Sequence, residues 1–282
     1  MSATLPTNDE DYIFKIKTKE AYVIKILGEL LNNTIQWAPL HVNEQGISLM
    51  QADDNFEQLI DLMLYKEHFP KYKCNKPLSF LVNSEYLYKM LKNIRKKNHV
   101  TLYVTRAEPN KLGISVESSE DNNQTITTIG ITESRHEVFK RPQGYENPVI
   151  MSPKEFQNMK TLHTIGRTVR VTSKPGFIKF FFDGDQVCSR ELVVGDESEN
   201  RDAEPHIQHY NTNHLTGLTK CAGLAQQSNI QIYIQPALPM KIKMRAGSLG
   251  DLTIYIKSKE MLELEEEEVK EAEAIGDVRM ND

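Results

Sequence analysis

The strongest constraint on this chain is that it repeats. Aligning Asn83 with Asn211, an offset of 128, sets Leu87 on Leu215, Met90 on Leu218 and Lys92 on Lys220. At an offset of 130, residues 100–104 match 230–234, and the turn Gly46-Ile47-Ser48 matches Gly176-Phe177-Ile178. Lys19-Glu20 matches Lys154-Glu155 at 135. The residue identities are weak, but the order of elements is kept. A period of about 130 residues, with two helices in the same places among many strands, implies two similar domains. The expected divisions are a flexible N-terminus (1–11), a first domain (12–132), a connector (133–147), a second domain (148–259) and an acidic tail (260–282).

Strand patterns dominate both halves. Runs rich in Val, Ile, Thr and aromatics, many alternating apolar with polar, lie at 12–17, 35–42, 46–51, 58–64, 76–81, 100–105, 111–116 and 125–131. In the second half they lie at 149–151, 168–172, 177–183, 187–194, 206–209, 230–234, 240–245 and 251–256. Such alternation favours half-buried antiparallel sheet. Trp37 and the run Phe180-Phe181-Phe182 are expected in the core, the latter also at an interface. Four stretches have helical spacing instead: 19–33 after Thr18, 83–95 capped by Asn83 or Ser84, 153–165 and 211–225 capped by Thr212 or Asn213. Ser152-Pro153 is a cap followed by proline at the first helical position. The apolar faces are Ala21, Ile24, Leu27, Leu30 and Leu31; Leu87, Met90, Leu91 and Ile94; Phe156, Met159 and Leu162; and Leu215, Leu218, Ala222 and Ala225. The fold class is therefore α+β, with two similar domains that each pair two helices with antiparallel sheets.

Charge is distributed unevenly. Residues 260–282 hold ten acidic and two basic side chains, so a chain of net charge −5 has a tail at −8 and a body at +3. A like-charge block such as Glu265-Glu266-Glu267-Glu268 reads as a solvated or frayed extension. The four helices and their flanks sum to +7, which leaves −4 for the rest of the body. A helix face of Lys and Arg suits phosphate contact without base reading. Each lysine alone is an ordinary solvated residue; it is their segregation onto helices that points to DNA. Single-strand binding would require a stacking series of aromatics, and Tyr22, Tyr86 and Tyr88 do not form one.

The stretch Gly46-Ile47-Ser48-Leu49-Met50-Gln51-Ala52-Asp53-Asp54-Asn55-Phe56-Glu57-Gln58-Leu59 resembles the G-[VI]-x-[LI]-x-x-M-D-x-x-x-[VI]-x-L signature of the proliferating cell nuclear antigen family, the DNA sliding clamps. Tyr72-Lys73-Cys74 followed by Leu87-Tyr88-Lys89-Met90-Leu91-Lys92 is similar to that family's Y-x-C and K-[IM]-L-K helix. Leu238-Pro239 with residues 249–256 resembles its closing strand. The match runs from about 12 to 259 in register. The resemblance implies clamp domains with helices inside and sheets outside, and three chains closing head to tail into a homotrimeric ring. It also implies no catalytic residues, no cofactor and no metal.

By that resemblance, Lys19, Lys25, Lys89, Lys92, Arg95, Lys96, Lys160 and Lys220 face the phosphates of double-stranded DNA, and three copies bring about +21 to the bore. Lys96 and Lys97 sit near the end of their helix. A pocket of Ala52, Phe56, Leu59, Val138, Phe139, Tyr145, Leu238, Pro239, Tyr255 and Ile256 takes short peptide motifs of DNA polymerase, clamp loader and other replication and repair proteins. An aromatic anchor in a rimmed apolar pocket suits such a hot spot. The edges expected to pair across the ring are 111–116, and 168–172 or 177–182. Ala52 replaces the family's Met, Glu57 its aliphatic and Lys257-Ser258 its Ala-Pro, and the acidic tail is longer. These departures describe a divergent clamp and put the pocket's usual motif in question.

Two alternatives stay open beside the homotrimer: a subunit of a heterotrimeric checkpoint-type clamp, and a monomeric polymerase accessory factor that binds DNA by one basic face. A nuclease using Asp53-Asp54 or Asp183 and Asp185 is a remote third, because no further carboxylate or lysine completes a two-metal pattern. His206, His209 and His214 lie close in sequence, but His206 and His209 straddle a strand's two faces and make a poor metal site. No nucleotide-binding glycine loop occurs. Three dispersed cysteines, Cys74, Cys188 and Cys221, suit a reducing compartment. No run approaches the roughly 18 apolar residues of a membrane span. The polar N-terminus does not read as a targeting peptide. The expected location is the nucleus, or a cytoplasmic replication site if the chain is viral.

Overall fold

The computed structural model describes residues 5–6, 8–118, 123–134, 139–184, 188–197, 202–225 and 228–279, of which 161–163 and 273–279 are described by backbone alone. The first half runs β1 (Tyr12–Thr18), α1 (Ala21–Thr34), β2 (Trp37–Val42), β3 (Gly46–Ala52), β4 (Gln58–Tyr65), β5 (Lys71–Cys74), β6 (Leu78–Asn83), α2 (Ser84–Leu91), β7 (His99–Thr105), β8 (Lys111–Glu117) and β9 (Gln124–Glu133). The second runs β10 (Val149–Met151), α3 (Pro153–Gln157), β11 (Thr168–Lys174), β12 (Phe177–Gly184), β13 (Cys188–Gly195), β14 (His206–Asn211), α4 (Thr212–Gly217), β15 (Ile230–Tyr233), β16 (Met240–Ala246), β17 (Gly250–Ile256) and α5 (Lys259–Arg279).

Apart from β5, the element order of the first half recurs in the second up to β17. The starts of β2 and β11, of β3 and β12, and of β7 and β15 are each 131 residues apart, and those of α2 and α4 are 128 apart. Compactness groups the chain differently. One unit takes Met1–Lys140 with Lys220–Asn229 and Lys243–Ile254; the other takes Arg141–Thr219, Ile230–Ile242 and Tyr255–Asp282.

In the first unit, β4, β3, β2, β6, β9, β8, β7, β1 and β5 are successive antiparallel neighbours. β1 alternates buried and half-buried residues, as a strand with one covered face must. Its Phe14 stacks on Phe80 of β6 with centroids 6.1 Å apart. Ile24, Leu27, Leu30 and Leu31 of α1 are buried, as their spacing predicts. A Cβ at Gly28 would fall 2.8 Å from a Leu91 methyl, so glycine is what lets α1 and α2 approach this closely. In the second unit, β13-β12-β11-β14 is a four-stranded antiparallel sheet. Phe180 and Phe182 are fully buried, while Phe181 turns to the other face under the Arg170 guanidinium, 4.6 Å from the ring centroid.

Several expectations are corrected. β5 is an additional strand: lysine-rich, with no buried residue, and paired only with β1, the character of a blunted edge. The segments 111–116, 168–172 and 177–182 are not edges, because β8, β11 and β12 each have neighbours on both sides. Among the described residues the terminal strands are β5, β10, β13 and β14, and the 124–130 stretch of β9 has a free side away from β8. Trp37 is 47% exposed, because the first residue of β2 points to solvent.

The helices are shorter than their apolar spacing suggests. α2 ends at Leu91, and Ile94 is buried from a turn beyond it. α3 and α4 give way to 3-10 turns at Asn158–Thr164 and Thr219–Gly223. Met159, Leu218 and Ala222 are still buried from these turns; the side chain of Leu162 lies outside the described residues. The α4 cap is Asn211, which accepts from Asn213 N–H, rather than Thr212 or Asn213. Ser152 and Glu155 form the full reciprocal capping box at α3.

The acidic tail is the largest departure: residues 259–279 are helical. Glu, Leu, Ala and Lys are strong helix formers, and acidic residues at the start suit the positive end of the helix. Buried Ser258 accepts from Met261 N–H at 3.3 Å and so caps α5. Glu260 fastens its first turn to β14, taking the His209 ring nitrogen at 2.6 Å and the His209 backbone N–H at 3.1 Å. Burial raises the Glu260 carboxyl, but the bonds from His209 and the local backbone outweigh it and hold the group below its usual range.

Candidate nucleic-acid interface and partner surface

The first unit gathers most of the expected cations on α1, α2 and the loop after α2. That loop is fixed from below by buried Ile94, whose N–H reaches Leu91 C=O at 3.0 Å, and by Asn98, whose side chain takes Arg95 N–H at 2.7 Å. Lys92, Arg95 and Lys96 are thereby held at the surface with exposed side chains. Tyr22 of α1 collects two of the cations: Lys25 Nζ is 5.7 Å and Lys96 Nζ 5.5 Å from its ring centroid. Lys25 also donates to Ile94 C=O at 3.3 Å, tying α1 to the loop. Lys19 and Lys96 line one cleft of about 490 Å³ with Tyr22, Arg245, Ser228 and Ser248.

Two of the eight cations are already paired. Lys89 bonds Glu85 one turn earlier at 2.6 Å, and Lys220 bonds Glu29 of α1. Each bond raises the lysine's affinity for its proton. Lys160 belongs to the second unit, exposed in the turn after α3. Lys19, Lys92, Arg95 and Lys96 have no ion pair among the described residues. Surface cations of this kind suit phosphate contact without base reading. Sequence reasoning missed Arg245; the outward alternation of Lys241, Lys243 and Arg245 along β16 was the available signal.

The expected peptide-pocket residues fall in two groups. In the first unit, Ala52 and Leu59 are cross-strand partners at the end of the β3–β4 hairpin. Asp53 closes the loop, its carboxylate taking Gln58 N–H at 2.8 Å and its C=O taking Phe56 N–H at 3.0 Å. That accounts for Asp53 without catalysis. Phe56 stands at the tip, 63% exposed, with φ at +56°. Bulky residues rarely adopt that left-handed region, and such strain collects where a side chain must be presented. Phe139 is half-buried, while Val138 and Asp185 lie outside the described residues.

In the second unit, Tyr145 anchors the connector. Its hydroxyl donates to Pro239 C=O at 2.8 Å, and its ring meets Tyr233 at 5.9 Å and Tyr255 at 6.1 Å. The Lys241 ammonium lies over both Tyr145 and Tyr233, 4.8 and 4.6 Å from their centroids. Burial pushes the Tyr145 phenol far above its usual value. Leu238 and Pro239 are half-buried beside this cluster, but Ile256 is fully buried and offers no surface to a ligand. Tyr233 and Lys241 join the Tyr145 cluster and were missed, because as half-exposed strand residues they look ordinary. Among the described residues no three His, Cys, Asp or Glu side chains converge on a metal position.

Two units of antiparallel sheet with few helices make this an α+β protein, consistent with clamp-type domains. Residues 13–133 match the family model described as "Proliferating cell nuclear antigen, N-terminal domain". Curated relatives extend across 88% of the chain. The "Probable DNA polymerase sliding clamp 1" of Paramecium bursaria Chlorella virus 1 is 22% identical over 261 residues, 98% of its own length. The "Proliferating cell nuclear antigen" of Dictyostelium discoideum is 22% identical over 259 residues, 99% of its length. The "Probable DNA polymerase sliding clamp" of Autographa californica nuclear polyhedrosis virus is 25% identical over 255 residues, 96% of its length. Over residues 13–133 the chain is similar to that family's N-terminal domain, and relatives named as sliding clamps or proliferating cell nuclear antigens match most of its length at 22–25% identity.

Proposed function

We propose that this chain is a DNA sliding clamp, a non-enzymatic processivity factor that holds a polymerase on duplex DNA. The observation that carries this reading is the cluster of Lys19, Lys92, Arg95 and Lys96 beside α1 and α2, without an ion pair among the described residues, in a chain whose relatives are named as clamps. In the proposed assembly three copies close head to tail, with 12–132 and 148–259 as repeated clamp domains and 133–147 as connector. The free sides of β13 and of β9 at 124–130 are among the edges available for strand pairing between copies. The eight named cations then face phosphates weakly and without sequence preference, which permits sliding once topology prevents escape.

Partner peptides of polymerase, loader and repair enzymes dock on Phe56 in the first unit and on the Tyr145 cluster in the second. Ala52 and Glu57 reshape the surroundings of Phe56 relative to the family pattern. The relatives named here are viral and eukaryotic. That supports action in a nucleus or a viral replication compartment, and no described helix is long and apolar enough to cross a membrane. Light scattering of the purified chain tests the assembly. A particle of three 32.4 kDa chains is expected; a persistent single chain would favour the heterotrimeric or face-binding alternative.

A further inference from the structure

Two of the expected DNA-facing cations are paired with carboxylates among the described residues, and one of those carboxylates, Glu29, is distant in sequence from its lysine. Glu29 sits on α1 with its side chain only 13% exposed. A single oxygen, Oε1, accepts from Lys220 Nζ and from the Tyr88 hydroxyl of α2, the latter at 3.3 Å. Tyr88 and the 54% exposed Lys220 therefore share that one oxygen. This bond is the leading reason the Lys220 ammonium holds its proton more firmly than usual. Glu85 takes Lys89 within a single helix turn, as many surface pairs do. The Glu29 pair instead joins α1 to the 3-10 turn Thr219–Gly223, across 191 residues of sequence.

We infer that Glu29 is a positioning residue that competes with DNA phosphate for Lys220, weakening that contact so that the clamp slides. The inference rests on the proposed DNA-binding role. A phosphate arriving at Lys220 must displace the carboxylate, and the displaced carboxylate then needs a cation from solution. Uptake of that cation cancels the counterion release that a free lysine would give. Lys220 in the native chain therefore adds little to the salt dependence of binding, unlike Lys92, which has no ion pair among the described residues. A weakly held site passes the backbone from one phosphate to the next with less drag.

The test is the slope of log affinity against log salt for the full-length protein on duplex DNA. It compares wild type with Lys92→Ala, Lys220→Ala, Glu29→Gln and the double Glu29→Gln/Lys220→Ala. Lys92→Ala is expected to flatten the slope by about 0.9, and Lys220→Ala by less than half of that. Glu29→Gln keeps an acceptor for Tyr88, frees Lys220 and steepens the slope by about 0.9, a gain of roughly 3.5-fold in the affinity change from 50 to 200 mM salt. The double variant loses that gain. Equal effects of Lys220→Ala and Lys92→Ala overturn the inference, and that comparison holds even if Glu29→Gln folds poorly. Absence of salt-dependent duplex binding by the wild type would defeat the DNA-binding reading itself, and with it this inference.

Discussion

Replacing Lys92, Arg95 and Lys96 together by alanine should remove three of the four positive charges of the α2–β7 loop while leaving the fold in place. Their side chains are exposed, and the loop is held by the buried side chain of Ile94 and by bonds from the Ile94 and Arg95 backbone. The substitutions also take the Lys96 ammonium away from the Tyr22 ring, which it faces at 5.5 Å. An exposed cation–π pair is worth about 0.5–1 kcal/mol, so the urea midpoint should move little. Each phosphate neutralised contributes about 0.9 to the salt slope, so removing all three cations flattens it by up to about 2.7. Over a fourfold rise in salt, from about 50 to 200 mM, that amounts to roughly 40-fold less loss of affinity than in the wild type. Fluorescence polarisation of a labelled duplex, titrated at several salt concentrations, reads the slope directly. A variant with a wild-type slope and an intact fold would refute the assignment of these cations to DNA.

Three further outcomes are expected. Asn83→Ala and Asn211→Ala each remove a side-chain cap at the start of a helix and should cost about 1 kcal/mol in urea unfolding. Phe56→Gly relieves a left-handed backbone and should stabilise the chain by about 1 kcal/mol, yet weaken client-peptide binding about tenfold or more by calorimetry. The Glu260 carboxyl is held below its usual range, so its hold on α5 is complete above about pH 4.3 and is lost as pH falls through the folded value. Circular dichroism at 222 nm should show that acid-side loss of helix in the wild type, and Glu260→Gln should lack it.

What could be read from the chain followed from local chemistry. Ser152-Pro153 with Glu155 announces a helix start because each residue satisfies a backbone group a few positions away. The alternation in β1 and the spacing in α1 likewise encode which face is buried. The failures share a cause in partners distant in sequence. Trp37 has the composition of a core residue, but its place at the start of β2 leaves it in solvent. β8 is an exception, since it lies between its sequence neighbours β7 and β9 and both hairpins are local. In the tail, helix propensity outweighs like-charge repulsion, and the anchor that begins α5 comes from His209, 51 residues upstream. Glu29 read as an ordinary helix residue because its partners Tyr88 and Lys220 are 59 and 191 positions away. The Phe56 signature was legible as a family motif, but its positive φ was not.

The most direct trial of a topological tether is to load the protein on a covalently closed circular duplex, wash at high salt and then cut the circle once. Retention on the intact circle followed by prompt loss from the linear product is the predicted behaviour. Loss from both forms at the same rate, governed by salt alone, would mean that the lysines grip one side of the duplex and that no ring surrounds it.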